Sequence, residues 1–152
     1  MRIPDTLLLA VCAFAPDLPA KRVAVALGKG VQAGGMPEPD LCPIEDDLLH
    51  GGTTMTALLD RLDLDARLRR ARAVVVGEGC LSRETLLSER GSTGPVFEIA
   101  TRARQSGVPA YAVTGADELD AFDARMLDLQ VIVEARGTRG LSAAGRELAR
   151  LV

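Results

Sequence analysis

Fully apolar runs alternate with amphipathic stretches along this chain, and the alternation predicts strands and helices in turn. Leu7 to Ala13 is apolar at every position, which suits a strand covered on both faces. Val23, Leu27 and Val31 then recur at i, i+4 and i+8, the stripe of a helix with one buried face. Asp17 is expected to cap that helix, with Pro19 in its first turn and Gly34-Gly35 ending it. Pro39 to Ile44 reads as a short second strand. Thr53 is expected to cap a helix presenting Met55, Leu58, Leu59 and Leu62, and Asp63-Leu64-Asp65 to break it before a second piece from Arg67 to Arg72.

Ala73-Val74-Val75-Val76 is a β-branched run with no polar alternation and predicts a buried third strand. Gly77-Glu78-Gly79 reads as a tight turn leaving it, and Ser82 as the cap of a short helix containing Thr85, Leu86 and Leu87. Ser88 to Gly94 forms a polar loop, and Pro95 opens a helix whose core face is Val96, Ile99, Ala100 and Ala103. Gly107 ends it. Val108 to Val113 is a fourth strand, followed by Thr114-Gly115 and a helix with Leu119, Phe122 and Met126 as its apolar residues. Leu129 to Val133 is a fifth strand, and the last helix buries Leu141, Ala144, Leu148 and Leu151. Strands alternating with helices imply an α/β chain: a three-layer Rossmann-like or flavodoxin-like, mostly parallel sheet with helices on both faces. Residues 1–152 are expected to form one such domain.

Composition changes this picture little. The net charge is −3 and aromatic residues make up 3%, with no Trp, so neither a basic footprint nor a stacking platform for nucleic acid is present. Lys21 and Lys29 are the only lysines; an arginine bias of this kind suggests a GC-rich coding genome. Cys12, Cys42 and Cys80 are odd in number and lack metal-ligand spacing, which favours a reduced, cytoplasmic protein. Cys12 and Cys42 read as buried small hydrophobes, and Cys80 more as a turn residue than as a reactive thiol, since no histidine is near it in sequence. Arg2 with the run from Leu7 to Phe14 has the outline of a secretory leader, but Asp5 interrupts it and the run is short, so the strand reading is preferred. No stretch is long enough to span a bilayer.

Chemistry is expected at the carboxyl ends of the strands, where open α/β sheets bind ligands. Right-handed crossovers would bring Asp17, Asp46, Glu78 and Thr114 to one sheet edge. Gly77 and Gly79 would let backbone N–H groups approach a ligand beside Glu78. Glu45-Asp46-Asp47 could hold Mg²⁺ or be a solvated acidic turn, and Gly91-Ser92-Thr93-Gly94 could be an anion site or a plain loop. His50, the one histidine, reads as a surface residue rather than a general base. Gly28-Lys29-Gly30 follows no strand directly, so close helix packing is preferred there to phosphate binding.

In order along the chain, Ala15-Pro16-Asp17, Pro43-Ile44-Glu45-Asp46, Val76-Gly77-Glu78-Gly79 through Thr85-Leu86, and Gly107-Val108-Pro109 with Thr114-Gly115 resemble the motifs of the two-domain bacterial glycerate kinases. The resemblance covers nearly the whole chain, and the Gly-Glu-Gly segment is its most specific part. It implies ATP-dependent phosphorylation of glycerate or a similar small hydroxy acid with Mg²⁺. Asp17, Asp46 and Glu78 would then be the catalytic carboxylates, with Asp46 and Glu78 on the metal. Gly77, Gly79, Ser82, Thr85, Arg90, Thr114 and Gly115 would line the phosphate or ligand site.

The departures from the family pattern are specific. Family members are more than twice as long, and their second domain is here reduced to the residues around Asp47 to Thr53. A lysine-bearing segment is missing after Asp17, Ser82 and Glu84 stand where the family has an acidic residue and Gln, and Glu89-Arg90 replaces a Gly-Lys pair. Arg83 or Arg90 would have to supply the missing positive charge. The alternative is therefore a non-catalytic binding or regulatory module that binds a nucleotide or small organic acid, or pairs with a partner that supplies the lost surface. A homodimer touching through Val25 would cover surface that a second domain once buried.

Overall fold

The computed structural model describes residues 4–14, 17–45, 54–87 and 94–152. Its elements are β1 (Leu7–Val11), α1 (Ala20–Ala33), β2 (Asp40–Pro43), α2 (Met55–Arg61), α3 (Leu64–Arg69), β3 (Ala73–Leu81), α4 (Arg83–Leu86), α5 (Pro95–Gln105), β4 (Ala110–Asp117), α6 (Ala121–Leu127), β5 (Leu129–Glu134) and α7 (Gly137–Leu151). The five strands form one sheet in the order β2-β1-β3-β4-β5, and every neighbouring pair is parallel. This is the flavodoxin-like doubly wound order, in which the chain reverses its direction of travel between β1 and β3.

Both faces of the sheet are covered, as continuous apolar strands require. All five residues of β1 are buried. Leu8 and Ala10 point into a core shared with Leu58, Leu64, Leu68 and Ile99 of α2, α3 and α5. Leu7, Leu9 and Val11 point the other way, against Val23, Leu27 and Val31 of α1 and Leu141, Ala144 and Leu148 of α7. Each such leucine contributes about 1.5–3 kcal/mol by leaving water. Cys12 and Cys42 belong to the first core, as expected.

Four local expectations are corrected. Asp17 does not cap α1: Pro19 holds the N-cap position with an extended ψ of 157° and no side-chain cap bond. Asp17 lies instead in a turn closed by Phe14 and Leu18, which exchange two backbone hydrogen bonds of 2.9 and 3.1 Å. α2 is capped by Thr54, whose side chain accepts from the Ala57 N–H at 3.1 Å; Thr53 lies outside the described residues. Gly77-Glu78-Gly79 is not a turn but part of β3, which runs on to Leu81. The reason is its neighbour: β4 is long enough to pair with it from Val74↔Ala110 through Leu81↔Asp117, so the ladder carries the chain past the glycines. Finally, Phe122 and Met126 of α6 are 63% and 47% exposed and Leu151 of α7 is 48% exposed, while Leu127 is buried. α6 is one short helix beside the edge strand β5, and its docked face is set by Leu127 and the buried Asp123.

Arg102 ties three helices together. Its guanidinium, with the side chain only 11% exposed, sits 2.9 Å from Asp60 and 3.4 Å from Asp65, and donates to the Thr56 carbonyl at 3.2 Å. The aspartates are more than half exposed, so screening discounts the pairs. Arg102→Met is expected to lower stability by about 1–2 kcal/mol, and Arg102→Lys to recover less than half of that because an ammonium cannot make the fork. Urea denaturation of the variants checks both.

Candidate active site at the carboxyl edge of the sheet

A cleft of about 740 Å³ opens at the carboxyl ends of β1, β3, β4 and β5. That volume lies within the range of small-molecule sites. The reversal between β1 and β3 creates it, because the connections leaving the two strands turn to opposite sides. From the turn after β1 come Asp17 and the apolar Ala13, Phe14 and Leu18; from β3 come Glu78, Gly79 and Cys80. Thr85 of α4, Gly115 and Ala116 of β4, and Ala135, Arg136 and Gly137 after β5 complete the lining.

The structure thus gathers Asp17, Glu78, Gly79, Thr85 and Gly115 of the expected site. Asp46 and Arg90 lie outside the described residues, as do Asp47, His50 and residues 91–93. Gly77 is one residue short of the cleft: it is buried and paired on both sides, with Val11 and with Val113, and a Cβ there would meet the Val11 side chain at 2.8 Å. Its backbone serves the sheet rather than a ligand. Ser82 and Thr85 form a capping box. The Ser82 N–H donates to Thr85 Oγ1 at 2.9 Å, and Thr85 Oγ1 donates to the Ser82 carbonyl at 2.8 Å. Thr114 is fully buried and donates to the Ala116 carbonyl at 3.1 Å, across Gly115.

Glu78 follows Gly77 out of the sheet interior, and its Oε2 is withdrawn from solvent. Arg83 is exposed on α4 and does not line the cleft. Among the described residues the cation of the cleft is Arg136, whose Nε donates to the Gly115 carbonyl at 3.4 Å. Arg136-Gly137 follows the fifth strand, beyond the four strand ends expected to carry the chemistry; an Arg-Gly pair between a strand and a helix is the signal the sequence offers for it. Among the described residues no three His, Cys, Asp or Glu side chains gather as a metal site.

Cys80 is no activated thiol. Burial comes first in pushing its pKa up, then its hydrogen bond and proximity to Glu118, with Glu78 and Glu84 adding smaller repulsions. Its Sγ donates to Glu118 Oε2 at 3.5 Å. Because the thiolate is the nucleophile, Cys80 is expected to react with iodoacetamide at pH 8 more slowly than a free cysteine peptide. Glu118→Gln should speed it, and mass spectrometry of the labelled protein reads both rates.

Residues 20–138 match the model of the glycerate kinase family. This chain belongs to the glycerate kinase family. The match takes in Glu78, Gly115 and Arg136 of the cleft and begins after Asp17. A solved structure named as a glycerate kinase 2 from Salmonella typhimurium is 15% identical, with a TM-score of 0.45, over 74% of this chain. The chain spans only 28% of the length of that kinase. A protein from Burkholderia pseudomallei named as pilus assembly-related is 13% identical with a TM-score of 0.50, covering 99% of this chain and 93% of its own. The diflavin flavoprotein A3 from Nostoc sp. is 14% identical with a TM-score of 0.51, covering 97% and 93%. At such identities these two are likenesses of fold alone. No curated protein sequence matches the chain. No helix among the described residues of this glycerate kinase family member is long and apolar enough to cross a membrane.

Proposed function

We propose that the chain binds a small hydroxy acid of the glycerate class in the cleft at the sheet's carboxyl edge. The observation that carries the reading is the pairing in one cleft of two carboxylates, Asp17 and Glu78, with one guanidinium, Arg136. A hydroxy acid presents the complementary set. Its carboxylate suits the planar fork of an arginine, and its hydroxyls donate to carboxylate oxygens. Gly79 and Gly115 line the cleft at the strand ends, where the Gly79 carbonyl approaches Gly115 too closely for a Cβ, and Ala13, Phe14 and Leu18 supply an apolar wall. Thermal denaturation with D-glycerate tests this. Saturation at about a hundred times Kd stabilises by about 2.7 kcal/mol, which raises Tm by roughly 5–10 °C. No shift with D-glycerate at tens of millimolar overturns the reading.

The family match favours a second reading, phosphoryl transfer from ATP to the bound hydroxy acid. Mg²⁺ takes one or two carboxylates and completes its shell with phosphate oxygens and water, and Glu78 and Asp17 of the cleft fit that donor chemistry. Asp46 is the further carboxylate that the family motif assigns to the metal. Bound Mg²⁺ would neutralise charge on the transferring phosphoryl group. Of the chain's own groups, Arg136 would orient the acid and a cleft carboxylate would accept the hydroxyl proton. ADP release from ATP, Mg²⁺ and D-glycerate separates the readings. Its absence at high protein concentration, with the thermal shift retained, leaves binding without catalysis.

A further inference from the structure

A second groove, of about 510 Å³, lies outside this site between α1 and α7. Lys21, Arg22, Val25, Ala26 and Lys29 of α1 line one side, and Thr138, Arg139 and Ser142 of α7 the other. Four cations therefore share one groove on a chain of net charge −3, and both of the chain's lysines are among them. None of the four has an ion-pair partner among the described residues.

No acidic side chain is among the described residues that line the groove. α1 contains no acidic residue in its 14 positions, and neither α1 nor α7 has one in its first turn. Lys21, Arg22, Thr138 and Arg139 all stand in first turns, where the helix macrodipole already disfavours cations. The arrangement thus costs the folded chain self-repulsion and an unfavourable dipole interaction, and both are relieved by an anion. The close crossing of the helices produces it. A Cβ on Gly30 would collide with the Ser142 carbonyl, and one on Gly145 with the Leu27 carbonyl. Glycines at these positions let the helices touch and bring Lys29 and Arg139 to one groove.

We propose that this groove is a binding site for a small phosphoanion with at least two negative charges, of the pyrophosphate or nucleoside polyphosphate class. Two ammonium groups act as point charges and two guanidinium forks as bidentate donors, while the Thr138 and Ser142 hydroxyls add neutral hydrogen bonds. Val25, 39% exposed, and Ala26 form the apolar floor between them.

Isothermal titration of the full chain with inorganic pyrophosphate and with Mg²⁺-free ATP tests the proposal. Expected is saturable one-to-one binding of at least one of them at low salt, weakening as sodium chloride rises to 150 mM. Lys29→Gln and Arg139→Gln, both exposed positions, should each weaken it about tenfold or more with Tm unchanged or slightly raised, since each removes repulsion from the groove. Glu78→Gln in the hydroxy-acid cleft should leave it intact, so the failure of either site can be told from the failure of the other. No saturable binding overturns the proposal. So does binding unaffected by both groove variants, or equal binding of sulfate, which marks diffuse charge attraction only.

Discussion

Gly145→Val is expected to lower the stability of this protein by about 3 kcal/mol or more, a large part of a total of about 5–15 kcal/mol. The added Cβ would collide with the Leu27 carbonyl and come within 2.9 Å of the Val31 nitrogen and 3.1 Å of the Gly30 Cα. These are backbone atoms of α1, which cannot rotate away as a side chain can. α1 would have to lift from α7, and the two together cover the sheet face built on Leu7, Leu9, Val11, Val75 and Val113. Gly145→Ala should also destabilise, though less, since better helix propensity returns about 1 kcal/mol. Gly140→Ala on the same helix is the control. Its Cβ would find nothing nearer than 3.6 Å, so it should be neutral or stabilising. Thermal unfolding followed by circular dichroism should place the valine variant roughly 6–12 °C below the parent. A valine variant as stable as the parent would mean that the helices do not touch here.

Arg136→Gln and Glu78→Gln should each weaken binding of D-glycerate about tenfold or more, the range for losing a hydrogen bond to a charged group. The two substitutions remove different halves of the complementarity. The first takes the partner of the ligand carboxylate, and an acid lacking the hydroxyls should lose as much as glycerate does. The second exchanges a charged hydroxyl acceptor for a neutral amide, so glycerate should lose more than an unhydroxylated acid. Arg136 is exposed and its one described contact is a 3.4 Å bond to the Gly115 carbonyl, so its variant should melt with the parent. Titration calorimetry with glycerate and propionate reads both patterns. Equal affinities in parent and variants would move the ligand elsewhere.

The positions of the elements were legible because the core pattern is strong. Val23, Leu27 and Val31, and Val96, Ile99, Ala100 and Ala103, are the buried faces of their helices as their spacing implies. Gly30 proved to be a helix-packing glycine. Periodicity failed where a docked neighbour sets the outcome. The inward face of α6 belongs to Leu127 and Asp123 rather than to Phe122 and Met126. The Gly-Glu-Gly segment carries turn chemistry, yet its conformation is fixed by pairing with β4. That pairing decides which groups face the cleft: Glu78 and Gly79 reach it, and Gly77 stays in the ladder.

The amino-acid sequence alone determined that strands and helices alternate, that the strands are covered on both faces, and that glycerate kinase motifs run through the chain in order. Those properties are local: they depend on side-chain volume, polarity and spacing within a dozen residues. Strand order, the meeting of Asp17 with Glu78 and Arg136, and the gathering of Lys21, Lys29 and Arg139 were decided only by the tertiary structure. They join positions some 60 to 120 residues apart, and distance along a chain says nothing of distance across a sheet until the crossovers are made.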